Sequence, residues 1–238
     1  NLRHRLAAKL IIIVGATLLA TISTYSYFNM TDQKTKLMDN VVASTDRLTN
    51  TIRLGTHYAM MINSRDDINQ IINNIAKVQE IQNIRIYNKE GQIKFSNRPA
   101  EVDTRTNIQA EACFICHRSE PPLVDIGLEE RTRIFPSGQG YRLLGIISPI
   151  VNEPGCSSDA CHVHPQDKTI LGALDVVVSL KDIDQEIRRA ETAAVGLSAL
   201  VFVIPAAIIF LFVLRSVNRP IRKLIDETRL IGQGLLPS

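Results

Sequence analysis

The chain has 238 residues, 45% hydrophobic and 21% charged, which excludes a disordered or collagen-like polymer. Its 27 basic and 24 acidic side chains leave a formal charge of +3, too small to point to nucleic acid. Four cysteines do not make a disulfide-dense scaffold, and the apolar residues gather in two stretches with polar sequence between them, as in a membrane protein.

Residues 1–9 carry Arg3, Arg5 and Lys9 with no acid. The first apolar stretch, residues 10–28, has no charge. About 20 such residues at 1.5 Å each cross a bilayer core of about 30 Å. The competing reading is a cleaved signal peptide, but the run is long for that and no small-residue cleavage motif follows. Tyr25, Tyr27 and Phe28 end the stretch as an outer-interface aromatic belt would.

From Thr31 to Asn63 there is no proline, and Leu37, Val41, Leu48, Ile52 and Met60 recur near helical spacing, so a long helix is expected to continue from the membrane. Leu37, Val41, Leu48 and Ile52 read as a seam without a partner in this chain, which predicts a homodimer. Ser64 and Asp67 resemble a capping box. Ile68, Ile71, Ile72, Ile75 and Val78 then form the stripe of a second helix.

The pattern next changes to period two. Ile84–Asn88 and Gln92–Asn97, joined by Lys89-Glu90-Gly91, predict a β-hairpin. Arg131–Phe135, Tyr141–Val151 and Thr169–Leu180 are three further strands, and Lys181–Glu191 is a charged helix. Helices followed by about five antiparallel strands make an α+β fold.

The second apolar stretch is residues 193–214, with Pro205 expected to kink it. Beyond it lie Arg215, Arg219, Arg222, Lys223 and Arg229 against Asp226 and Glu227. The two ends thus hold eight basic and two acidic residues, which leaves 19 basic and 22 acidic for residues 29–192. The positive-inside rule predicts two spans in a cytoplasmic membrane, both termini in the cytoplasm and residues 29–192 exported.

The exported segment contains Cys113-Phe114-Ile115-Cys116-His117 and Cys156-Ser157-Ser158-Asp159-Ala160-Cys161-His162. The first is the C-x-x-C-H attachment signature of c-type haem: two thiols bond the porphyrin vinyl groups and the adjacent His ligates iron. The second has four residues between its thiols and again a His directly after. Two disulfides or a structural zinc ion are competing readings, although zinc does not require His directly after both pairs. The haem reading predicts two covalently bound c-type haems with His117 and His162 as proximal iron ligands. His57 and His164 are the candidate distal ligands. Met60, one turn beyond His57, is a weaker alternative that suits ferrous iron.

Two spans around a domain with C-x-x-C-H attachment resemble the periplasmic PAS/Cache-like sensor modules of bacterial histidine kinases and chemoreceptors. The segment from Cys156 to Leu180 is similar to a di-haem subgroup, in which a wide-gap Cys-His site precedes a strand reading L-G-x-L-D, here Leu171-Gly172-Ala173-Leu174-Asp175. That resemblance implies a PAS/Cache-like antiparallel sheet with long flanking helices and two haem-binding loops in the periplasm. Residues 215–238 look like the start of a HAMP linker, with Pro220 at a first helical position and Ile221, Leu224, Ile225, Thr228 and Ile231 at coiled-coil spacing. A HAMP domain needs two helices and one is present. Either an output region such as a kinase follows Ser238, or the module serves without one.

The chain carries no catalytic motif of its own. The function expected is redox or gas sensing with signalling through the HAMP-like linker. The alternative is a di-haem electron-transfer subunit beside a respiratory or photosynthetic complex. Expected partners are membrane lipid, a second copy, and a periplasmic redox partner or larger membrane complex, with no nucleic acid.

Overall fold

The computed structural model describes residues 2–107, 109–119, 123–158, 164–165 and 167–220. Contacts divide the chain into two units, Asn1–Thr35 with Glu186–Ser238, and Lys36–Gln185.

In the second unit, helix α1 (Leu2–Met61, shared with the first unit) is followed by α2 (Arg65–Ile75). The hairpin β1 (Ile81–Asn88) and β2 (Ile93–Ser96) comes next. After a 3₁₀ turn at Pro99–Glu101 come α3 (Glu111–His117), α4 (Leu128–Arg131), β3 (Thr132–Pro136) and β4 (Arg142–Val151). Short α5 (Pro154–Ser158) leads toward β5 (Ile170–Ser179), and α6 (Lys181–Val213) returns to the first unit. The five strands form one antiparallel sheet in the order β2-β1-β5-β4-β3. All five expected strands and the α+β order are therefore present. Strand limits differ from the expected ones by one to three residues, most at β1, which starts at Ile81 rather than Ile84, and Arg131 moves from the expected start of β3 to the end of α4. There its guanidinium donates to Asp46 Oδ1 of α1 at 2.6 Å and to Ser148 Oγ at 2.7 Å.

Where α1 ends is a matter of one residue. Asn63 takes φ +53°, its N–H reaches the Met60 carbonyl at 3.1 Å, and the Ser64 N–H reaches the Ala59 carbonyl at 2.9 Å. This pairing satisfies the last helical carbonyls and turns the chain straight into α2. Ser64 stands at the N-cap of α2 as expected. Its hydroxyl, however, donates to the Asp67 carboxylate at 2.7 Å instead of accepting from a backbone N–H.

One face of the sheet is apolar. Ile84 and Ile86 of β1, Leu144 of β4, and Leu174, Val176 and Val178 of β5 pack with Ile52 and Ala59 of α1 and Ile68 and Ile72 of α2. Each such side chain contributes about 1.5–3 kcal/mol when fully buried. Val41 and Leu48 lie against the same core. The expected unpartnered seam is thus corrected at Val41, Leu48 and Ile52, whose partner is the sheet of their own chain. Gly172, the glycine of L-G-x-L-D, pairs with Asn88 across the β1–β5 ladder, where a Cβ would overlap the Tyr87 carbonyl oxygen.

In the first unit, α1 and α6 contribute helical residues joined by a Ser26 Oγ to Ser198 Oγ hydrogen bond of 2.8 Å and by a Lys34–Glu191 ion pair. The helix runs on through Pro205 and ends in a π turn at Leu214–Asn218. Among the described residues one segment, Lys181–Ser216, is long and apolar enough to cross a membrane. Its large apolar side chains, including Leu197, Val203, Phe210 and Phe212, face outward. A helix that exposes apolar residues in this way requires an apolar surrounding. One of the two expected spans is thus supported by length and composition. The expected coiled-coil positions from Ile221 onward lie outside the described residues.

Candidate functional site: two cysteine sites on opposite faces of one sheet

One residue of the wide-gap motif, Cys156, lies at a cleft on the apolar face. A cleft of about 290 Å³ is lined by His57, Met60 and Met61 of α1, by Cys156 of α5 and by His164. Its floor is apolar, with Ile68, Ile86, Phe95, Ile150 and Leu171. Residues about 100 positions apart in sequence therefore meet, because the helix end fixed by Asn63 lies over the loop between β4 and β5. That loop is held close. The His164 N–H donates to the Cys156 carbonyl at 3.0 Å, and a Cβ on Gly155 would sit 3.1 Å from Met61 Cε. Glu153 faces the same helix, 3.8 Å from His57 Nε2 and 3.7 Å from Arg53 Nη1. Cys161 and His162 lie outside the described residues.

The C-x-x-C-H site belongs to the other face. Helix α3 carries Cys113 and Cys116 one turn apart, both half-buried, with His117 exposed at its end. Arg118 after the helix donates to Glu130 at 2.8 Å, and the Leu123 N–H returns to the Cys116 carbonyl at 2.9 Å. Burial pushes both thiols above their ordinary value. For Cys113 the negative charges of Asp175 and Cys116 add to this and Arg133 opposes it. Cys113, Cys116 and Cys156 carry free thiols among the described residues.

Beneath α3 the sheet face is polar although buried. Asp175, the aspartate of L-G-x-L-D, is 0% exposed and receives Arg133 Nη2 at 2.9 Å, while Arg85 Nη1 stands 3.6 Å away. Arg85 in turn makes a two-pronged contact with Glu101 at 2.8 and 2.9 Å, and Asn83 Nδ2 and Ser96 Oγ also donate to Glu101. Burial, the largest single effect, raises the Glu101 carboxyl. The hydrogen bonds from Arg85, Asn83 and Ser96 outweigh it and bring the carboxyl down to about 2. Tyr87 is pushed up to about 12, by burial first and then by the charge of Asp175. Gly145 makes the alignment possible. It pairs with Arg133 across the β3–β4 ladder, and the guanidinium occupies the space a Cβ would take.

The donor chemistry fits the expected cofactor in kind. Two thiols on one face of a helical turn, followed by an exposed imidazole, suit a porphyrin edge and its iron. The cleft adds imidazole and thioether donors beside Cys156, the ligand types haem iron accepts. Among the described residues no group of three or more His, Cys, Asp or Glu is placed to hold a metal ion. Sequence reasoning missed Glu153 beside His57 and the cations Arg65 and Lys94 at the cleft. It also missed the Arg133–Asp175–Arg85–Glu101 chain. Only Asp175 carried a signal, as the last residue of L-G-x-L-D.

No family model and no curated protein matches the chain. Among solved structures it is similar to the ligand-binding domain of the Campylobacter jejuni chemoreceptor Tlp3 in complex with 4-methylisoleucine. The TM-score is 0.44 at 10% identity, covering 71% of this chain and 63% of that one. A second structure of the Tlp3 sensory domain gives TM-score 0.44 and 10% identity over 73% and 66% of the two chains. An extracellular ligand binding receptor from Desulfohalobium retbaense gives 0.29 and 13% over 58% and 24%. This chain spans less than two thirds of the length of each. At this level of likeness they bear on neither the ligand nor the activity of this chain.

Proposed function

We propose that this chain is a membrane-anchored di-haem c-type sensor module, with residues 29–192 in the periplasm between two membrane spans and residues 215–238 beginning a HAMP-like linker. The observation that carries the proposal is the cleft in which Cys156 meets His57, Met60 and His164, because a covalent attachment residue and candidate axial ligands from distant elements share one cavity. When bound, each haem supplies an iron whose oxidation state and sixth ligand respond to redox conditions or to a small gas. Cys113 and Cys116 would hold one porphyrin edge and His117 would offer an imidazole to its iron. Cys156, Cys161 and His162 would do the same at the second site. His57 offers an imidazole from α1, with Met60 one turn later as the softer alternative. Glu153 lies 3.8 Å from the His57 Nε2. His57 would tie such a haem to α1, the helix that this reading carries into the first span. Such a signal needs two conformations whose coupling is about 1–3 kcal/mol. A second copy completes the reading, with the juxtamembrane helices paired.

Pyridine haemochrome spectroscopy on the purified full chain is expected to give two covalently attached c-type haems, and haem lost on acid-acetone extraction would refute the claim. His57→Ala is expected to turn one haem from six-coordinate low spin to a water-bound or five-coordinate state. A Cys introduced at Ile225 is expected to crosslink two copies. A strictly monomeric chain seated in a larger complex would favour electron transfer instead.

A further inference from the structure

The rim of the cleft differs from its floor. Arg65, at the start of α2, lies over the Phe95 ring with its guanidinium 5.1 Å from the ring centroid, and Lys94 of β2 lines the same opening. Among the described lining residues there are two permanent cations, two histidines and no Asp or Glu. A cavity with an apolar floor and a cationic rim selects an apolar body that carries carboxylate at one edge. A carboxylate already pairs with one of the two cations. Asp103 Oδ1 accepts from Lys94 Nζ at 2.9 Å, and the Asp103 side chain is 58% exposed. The Asp103 carboxyl is held below its ordinary value by the hydrogen bond and charge of Lys94, and further by the charge of Arg65. An exposed pair of this kind is weak and exchanges readily for another carboxylate.

We propose that Arg65 and Lys94 form the carboxylate-binding rim of the Cys156 cleft and receive the propionates of the haem tethered there. This rests on the di-haem reading. The haem is a flat apolar ring with two carboxylates on one edge, so the ring meets Phe95, Ile68 and Leu171 while the carboxylates meet the rim. A free organic acid offers the same chemistry from another source. A positive rim also acts on the electron equilibrium. It opposes the oxidised, more positive state of a nearby iron, so its removal favours oxidation.

The test uses the full chain in detergent and the double variant Arg65→Gln/Lys94→Gln, titrated potentiometrically with visible absorbance. Both haems should remain attached. One of the two one-electron couples should shift its equilibrium tenfold toward the oxidised form, a fall of about 59 mV. The exposed Arg65→Gln single variant reads the same couple in the same direction if the double variant does not fold. Two unchanged couples overturn the assignment. If the wild-type chain carries no haem at Cys156, the di-haem reading fails separately, and calorimetry with hexanoate decides the rim. Binding at least tenfold weaker in the double variant supports a free carboxylate ligand. Equal binding in both proteins, or no binding by the wild type, overturns the rim as well.

Discussion

On the helix-covered face of the sheet, Ile84, Ile86, Leu144, Leu174 and Val176 exclude water by packing against α1 and α2. On the opposite face β1, β3 and β5 carry Asn83, Arg85, Arg133 and Asp175, of which Asn83 and Asp175 are buried and the two guanidiniums partly so, and water gives way to charges that cancel pairwise. The apolar face gains stability from area and tolerates small changes of shape. The polar face depends on completeness, because each group left without its partner keeps the full cost of its desolvation. The two candidate haem sites divide along the same line. The cleft with Cys156 opens at the apolar face, whereas Cys113 stands within reach of the Asp175 charge.

That contrast can be broken most directly at Asp175. Asp175→Ala strands Arg133 and is expected to cost about 3–5 kcal/mol in urea unfolding followed by circular dichroism. A loss under 1 kcal/mol would mean that the polar face is not desolvated. Leu144→Ala on the other face is expected to cost about 3 kcal/mol by cavity formation alone, with no dependence on pH. Gly145→Ala should cost about 1–2 kcal/mol, since it pushes the Arg133 guanidinium off its course to Asp175. The gentlest probe is pH. Glu101 lies at about 2 in the folded chain against an ordinary 4.5, so its contribution is complete above about pH 4.5 and is lost as pH falls toward 2. Glu101→Gln should flatten the stability profile in that window, and an unchanged slope would locate the acid sensitivity elsewhere.

The elements were legible because each follows a local period. The stripe from Ile68 to Val78, of which α2 takes the part up to Ile75, the hairpin around Gly91 (φ +73°) and the three later strands fall within about three residues of their expected limits. The meeting of His57, Met60 and His164 around Cys156 was legible only as a set of residue types, since nothing local states that the end of α1 reaches the loop after β4. The assignment of Val41, Leu48 and Ile52 to a seam between copies failed for a definite reason. A stripe packed on a sheet and one packed on a second helix have nearly the same spacing, so periodicity reveals a buried face but not what covers it. The polar face was hidden for the opposite reason. Arg85 and Arg133 look like the outward half of alternating strands, and only the presence of Asp175 between them turns that half into a second interior.

The face that α1 turns to the sheet is rich in threonine. Thr45, Thr49 and Thr56 are buried, and their hydroxyls donate to carbonyls of their own helix, at Val41, Thr45 and Ile52, each at 2.8 Å. Small side chains whose hydrogen bonds travel with the helix make a bearing surface, since axial creep along the strands would break none of those three bonds. Resistance then resides at pins such as the ion pair of Asp46 with Arg131, which ties α1 to α4. Drawing such a pin is a local electrostatic event, and its cost does not scale with the length of helix it releases.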